Sequence, residues 1–209
     1  MISCPDTLSP EDFTRAVDAA IRDRRTRKVL AGPGSDPMAF QAALRDSLAL
    51  AGMAPFHFAR EDEVPEPWRF RAFVGAGLTR LRAELDEADV LYGKLPAIFD
   101  GAGAVVQATW LPEGRPERDW EHLAASASAV QNSFLAMHAR SFGSYWCSAP
   151  VLGKAVANRI FGVAEGEAYL GTLFFGAPLD PEAEAEVGFP GKMHARRTSP
   201  AAWSEWIDN

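Results

Sequence analysis

Residues 130–178 read VQNSFLAMHARSFGSYWCSAPVLGKAVANRIFGVAEGEAYLGTLFFGAP. Val130, Phe134, Leu135 and His138 fall near one helical face, and Gly143 stops that helix. The segment SYWC, residues 144–147, is then a short strand, and Ser148 and Pro150 open another helix that ends near Gly162. AYLGTLFFGAP, residues 168–178, is the most apolar strand in the chain. Upstream, the long helix begins near Asp119 and carries Trp120, Leu123 and Ala127 on the same face. Its first half, LAASASA at residues 123–129, is almost all small side chains, which let another backbone approach closely. This predicts a central or interface helix.

Further out, Ser9 as N-cap, Pro10 and Asp12 start a first helix, with Phe13, Val17 and Ile21 on one face. Asp36 and Pro37 start a second, carrying Phe40, Leu44 and Leu48 and stopped at Gly52. GMAPFHFAREDEVPEP, residues 52–67, has no period and reads as a loop. WRFRAFVG alternates Trp68, Phe70, Ala72 and Val74 on one side, a strand. Leu78, Leu81 and Leu85 mark a third helix, and GAVVQATW, residues 103–110, a buried strand. Helices and strands mix without strict alternation, which favours α+β over a doubly wound sheet. A single domain over 1–209 is expected, with 180–209 as a C-terminal arm whose Trp203 and Trp206 dock on a neighbouring surface.

The 209 residues include 21 basic and 28 acidic ones, a net charge of −7, which argues against a nucleic-acid-binding surface. Two cysteines, Cys4 and Cys147, make no disulfide framework, so a reducing compartment is expected. Without a signal-peptide pattern or a long apolar run, the expectation is a cytoplasmic protein that does not enter membranes.

Within that acidic chain, residues 24–28 read RRTRK. One reading places these cations at the end of the first helix, complementing its dipole. The other is a phosphate site, with arginine forks and the Thr26 hydroxyl on the oxygens. No GxGxxG or GxxxxGK[ST] loop is present to supply a backbone cradle, so side chains would have to hold the phosphate. The four histidines lack metal-site spacing, and Cys147 has no positioned base. No catalytic residue and no metal ligand is assigned. His138 and His194 read as structural, and Glu165 and Glu167 as parts of a turn.

Taken in order, RRTRK, the segment LALAGMAPFH followed by PEPWRF, DWEHLAASASA, and the run from 130 to 178 resemble the FMN-dependent nitroreductase family over roughly residues 20–178. The likeness is to its short, minimal branch, with Pro-x-His at Pro55–His57 and Trp-x-Ser at Trp146–Ser148. It implies an α+β fold with a mixed sheet flanked by helices, in a homodimer built on the long central helix. It also implies FMN held at the subunit interface. Arg24, Arg25 and Thr26 would hold the phosphate and ribityl chain, Met53 and His57 would lie along the flavin, and Trp146, Cys147 and Ser148 would reach it from the other subunit. Cys147 stands where a basic residue is common, and Arg196 and Arg197 are placed to compensate. The implied activity is a ping-pong transfer of hydride from NADH or NADPH through flavin to an electron-poor small molecule, a nitroaromatic, quinone or enone. Another flavin enzyme on the same fold, or a non-catalytic flavin-binding or structural dimer, is the alternative. The acidic loop 58–66, with Glu61, Asp62, Glu63 and Glu66, would repel a 2′-phosphate and favours NADH.

Overall fold

A computed structural model describes residues 9–60, 63–187 and 196–207. In chain order the elements are α1 (Pro10–Asp23), α2 (Pro37–Ala51), β1 (Trp68–Val74), α3 (Gly75–Glu87), α4 (Leu95–Asp100), β2 (Ala104–Trp110) and α5 (Pro116–Ala139). They continue with β3 (Gly143–Cys147), a 3₁₀ turn (Pro150–Gly153), α6 (Ala155–Ile160), β4 (Ala168–Gly176), α7 (Pro181–Val187) and a 3₁₀ turn (Pro200–Ala202). The helix starts follow the sequence signals. Ser9 Oγ accepts the Asp12 N–H, and Asp36 accepts those of Met38 and Ala39, each satisfying orphan donors of a first turn. No described helix is long and apolar enough to cross a membrane.

The four strands lie in the order β1-β2-β4-β3, and every neighbouring pair is antiparallel. Parallel pairing, expected of a mixed sheet, is confined among the described residues to two isolated bridges, Thr26 with Ser144 and Gly32 with Ala102. Successive residues of a strand face opposite ways, so the sheet sorts its side chains by parity. Ala104, Val106, Leu173 and Phe175 pack with Phe40, Leu44, Phe134 and Met137 of α2 and α5. Val105 and Phe174 pack the other way, with Leu81, Leu85, Phe99 and Leu152 from α3, α4 and the first 3₁₀ turn. With helices on both faces, β2 is apolar almost throughout. Truncating a side chain such as Phe175, fully buried between α5 and the sheet, would cost about 3–5 kcal/mol.

Three local expectations are corrected. The helix expected from Ser148 to Gly162 is broken into a 3₁₀ turn and α6 by Lys154, whose backbone is extended. α5 starts at Pro116 and ends at Ala139, because Ser141 takes a positive φ and the Phe142 N–H returns to Met137 O. Its core face is also rotated from the expected one. His122, Ala125, Ser126, Ala129, Val130, Ser133, Phe134 and Met137 are buried, whereas Trp120 and Leu123 are exposed. Small residues sit inward at the N-terminal half because α2 packs closely there, bringing Ala51 and Ala54 against Ala125 and Ala129. α1 touches α5 yet buries none of its residues, and Phe13, Val17 and Ile21 face outward.

Candidate functional site

Where α1 ends, Arg24 leaves helical geometry with ψ 125° and the chain becomes extended. Thr26 bridges to Ser144, and the Arg27 N–H donates to Ser144 O at 3.0 Å, so RRTRK forms a short fifth edge beside β3. Among the basic residues only Arg22 lies in the last turn of α1. Arg25 serves the helix end by donating to Arg22 O at 2.7 Å. Arg27 is paired with Glu184, which ties α7 to this edge. The continuation crosses the end of the sheet at Gly32, and Gly103 makes that crossing possible. A Cβ on Gly103 would meet Gly32 C and O and Pro33 Cα at 2.8 Å, all of them backbone atoms.

Arg24 is half-buried, and its pKa is lowered by burial, then by the charges of Arg197 and Arg25. The C-terminal segment thus returns to the first arginines, although no feature of the sequence fixes that path. No carboxylate pairs with Arg24, Arg25 or Arg197 among the described residues. His138, near the C-terminus of α5, faces the same cluster. Burial lowers its pKa, Asp23 opposes the shift, and Arg24, Arg27 and Arg25 add to it. Repelling cations with a half-buried member and no paired carboxylate among the described residues fit a dianionic phosphate, which arginine binds through paired charge-assisted hydrogen bonds. Arg196 is exposed, and no described contact assigns it a role.

Met53 and His57 are exposed on the loop after α2. Phe58 anchors this loop, with its carbonyl 3.2 Å from His122 Nε2 and its ring 5.0 Å below the Arg118 guanidinium. Arg60 donates to Leu111 O at 3.3 Å, and Arg118 reaches Glu113 at the same distance. His122 and His138 stand about 24 Å apart along the helix, at about 1.5 Å per residue. The His57 loop and the arginine cluster therefore sit toward opposite ends of α5. Of the loop's acids, Glu63 is exposed and Glu66 half-buried. Glu61, Asp62 and His194 lie outside the described residues.

β3 and its end carry three of the expected residues. Trp146 is held within its own chain, its Nε1–H donated to Leu170 O at 3.1 Å and its ring edge-on to Phe134. Leu170 is the extra residue where the β2–β4 register shifts, and Gly171 leaves room for the indole: a Cβ there would lie 2.0 Å from Nε1. Cys147 is 3% exposed, so its thiol cannot touch a ligand outside the core. It faces inward because its register partner, Thr172, lies on the buried side of the sheet opposite α5. Only Ser148, past the strand end, is exposed.

Sequence reasoning read Glu167 only as part of a turn and gave His122 no role. Glu167, 5% exposed at its side chain, takes both terminal nitrogens of Arg71 at 2.7 and 2.6 Å and the Thr109 hydroxyl. Burial would raise its pKa, but the hydrogen bonds from Arg71 and Thr109 outweigh that and hold it below the ordinary value. Gln107 bridges Leu152 O and the Thr172 hydroxyl on the same face, and Tyr169, pushed up to about 12 by burial, donates to Cys147 O at 2.9 Å. A cleft of 360 Å³ between α3 and the α4–β2 turn, lined by Leu78, Arg82, Phe99 and Asp100, includes none of the site residues expected from the sequence.

Parity-sorted sheet, two-sided helical cover and arginine edge together define an α+β protein of the nitroreductase fold. A nitroreductase-like family protein from Bacillus cereus matches it with a TM-score of 0.70 and 20% identity, over 92% of this chain and 96% of that one. The FMN-dependent nitroreductase NfnB from Mycobacterium smegmatis, solved in complex with NADPH, matches at 0.69 and 17% identity, over 94% and 100%. The FMN and NADPH-dependent nitroreductase NfnB from Sphigopyxis sp. strain HMH matches at 0.68 and 13%, over 92% and 99%. No protein-family model and no curated protein matches the sequence.

Proposed function

We propose that this protein is an FMN-dependent oxidoreductase that takes electrons from NADH or NADPH and reduces an electron-poor small molecule, a nitroaromatic, quinone or enone, in a ping-pong cycle. The observation that carries the reading is the Arg24, Arg25 and Arg197 cluster, which has no paired carboxylate among the described residues. Solved proteins of this fold that are FMN-dependent support it. Bound FMN would supply the redox centre, so the chain needs no nucleophile of its own.

The chain's residues bind and orient. Arg24 and Arg25 fork onto phosphate oxygens, Thr26 adds its hydroxyl, and Arg197 closes the anion site from the C-terminal side. Met53 and His57 border the ring-binding slot, and Ser148 offers a hydroxyl. Because the His57 loop and the arginines occupy opposite ends of α5, a second copy completes each site. Its interface is the outward apolar face of α1 (Phe13, Val17, Ile21) with Trp120 and Leu123 of α5. The arm from residue 180, with exposed Trp203, Trp206 and Ile207, extends that contact. The carboxylates of loop 58–66 repel a 2′-phosphate and favour NADH, and the reducing cytoplasm suits a chain with a free, buried Cys147.

The test is an absorbance spectrum of protein incubated with FMN and desalted, followed by anaerobic NADH. A retained flavin band that bleaches is expected. Replacing Arg24 or Arg25 with Ala should weaken FMN binding about 10- to 150-fold, from about 1.5–3 kcal/mol per charged hydrogen bond. Full FMN retention by the double variant would remove the phosphate assignment.

A further inference from the structure

His122 is fully buried, and both ring nitrogens face backbone carbonyls: Nδ1 lies 3.2 Å from Leu111 O, and Nε2 lies 3.2 Å from Phe58 O. Both partners are acceptors only, and a neutral imidazole has one N–H to give. The two carbonyls are not equivalent. Leu111 O also receives Arg60 Nη1 at 3.3 Å, whereas among the described residues Phe58 O has His122 alone. An unserved buried carbonyl is costly, so the proton belongs on Nε2, where it satisfies Phe58 O whether or not Nδ1 is also protonated.

Phe58 is the residue next to His57, on a loop without helix or strand to hold it. We propose that His122 is a positioning residue: through the Nε2–H to Phe58 O bond it fixes the loop that presents Met53 and His57 to the ring end of the site. The inference rests on the flavin reading for the purpose of that loop, but the latch itself is a property of the unliganded chain. α5 is a suitable mount. Its N-terminal half is clamped against α2 by close-packed alanines, so the imidazole is carried on a rigid element while the segment it holds is not.

Glutamine places its amide nitrogen near the position of Nε2 and asparagine near that of Nδ1, so the two substitutions separate the two hydrogen bonds. Amide hydrogen exchange over residues 53–60 of the unliganded protein, together with FMN binding, reads the outcome. His122→Gln should stay within about twofold of wild type, while His122→Asn and His122→Leu should exchange about tenfold faster in that loop, the order expected for loss of one hydrogen bond. Peptides from β2 and β4 should not change. The FMN dissociation constant should rise by a similar factor in the Asn and Leu variants and not in Gln. Equal exchange in the Gln and Asn variants, or a loop unaffected by Asn, overturns the proposal; if the Leu variant does not fold, the Gln and Asn pair decides alone. A wild-type protein that takes up no FMN sinks the flavin reading, and the exchange order of the variants still establishes or refutes the latch.

Discussion

Replacing Glu167 with Ala would leave the Arg71 guanidinium and the Thr109 hydroxyl without their shared partner. Removing one member of a buried ion pair costs about 3–5 kcal/mol, because the surviving charge stays desolvated. Here Glu167 is 5% exposed but Arg71 is 25% exposed, so water can reach the orphaned cation. The cost is therefore placed lower, at about 2–3 kcal/mol. For a chain of this length about 1 kcal/mol moves the melting temperature by about 2–4 °C, so the variant should melt roughly 4–12 °C lower. Protein concentration must be fixed in this comparison, because association would itself shift the transition. The Glu167 pKa is lower folded than unfolded. Its stabilisation is fully present above the unfolded value of about 4.3 and is lost as pH falls through the folded one. The gap between wild type and variant should therefore narrow in acid. Replacing both charged partners, as Arg71→Leu with Glu167→Leu, should recover the part of the loss due to the unpaired guanidinium, while the buried Thr109 hydroxyl still lacks its acceptor. A variant within about 0.5 kcal/mol of wild type, or a gap that widens in acid, would refute the view that this pair is a net anchor.

Two further outcomes follow from the arginine edge. Gly103→Ala should destabilise the protein by about 1–3 kcal/mol in urea unfolding, because the new Cβ meets backbone on the crossing strand; an unchanged midpoint would show that the crossing can shift. His138 has a depressed pKa, so its effect on the stability of the free protein is favourable above the ordinary value of about 6.5 and is lost as pH falls through the depressed one. An anion among these cations raises that pKa, so FMN affinity should gain on acidification through His138. Titrations at about pH 8 and about pH 6 should show that gain reduced in His138→Gln, and parallel slopes for the two proteins would refute the linkage.

Much of the architecture was legible because it rests on local signals. Ser9 with Pro10, Asp36 with Pro37 and Gly52 mark helix ends through backbone groups that must be satisfied nearby, and β2 declares its burial by being free of charge and apolar almost throughout. The rotation of α5 was hidden because the large apolar residues of its N-terminal half, Trp120 and Leu123, point outward, while alanine and serine fill the close contact with α2. Glu167 and His122 were hidden for another reason. Their partners, Arg71, Thr109, Phe58 and Leu111, are remote in sequence, so only the assembled sheet and loop bring them together. The arginines were visible as a charge run, but the approach of Arg197 depends on the path of the C-terminal segment. The facing of Cys147 and Trp146 was not legible because strand parity and the register shift at Leu170 decide it.

The outward face of α1 has a consequence for the proposed phosphate site. A helix of 14 residues that buries none of its side chains has little to hold it beyond its own propensity, and isolated helices of this length are marginal in water. If a second copy covers Phe13, Val17 and Ile21, assembly is what makes α1 persist, and the arginine edge, held on its other side by the Thr26–Ser144 bridge, is then fixed from the α1 side as well. Subunit dilution would then strip the phosphate grip before it unfolds the sheet, so that flavin loss on dilution becomes an early readout of dissociation.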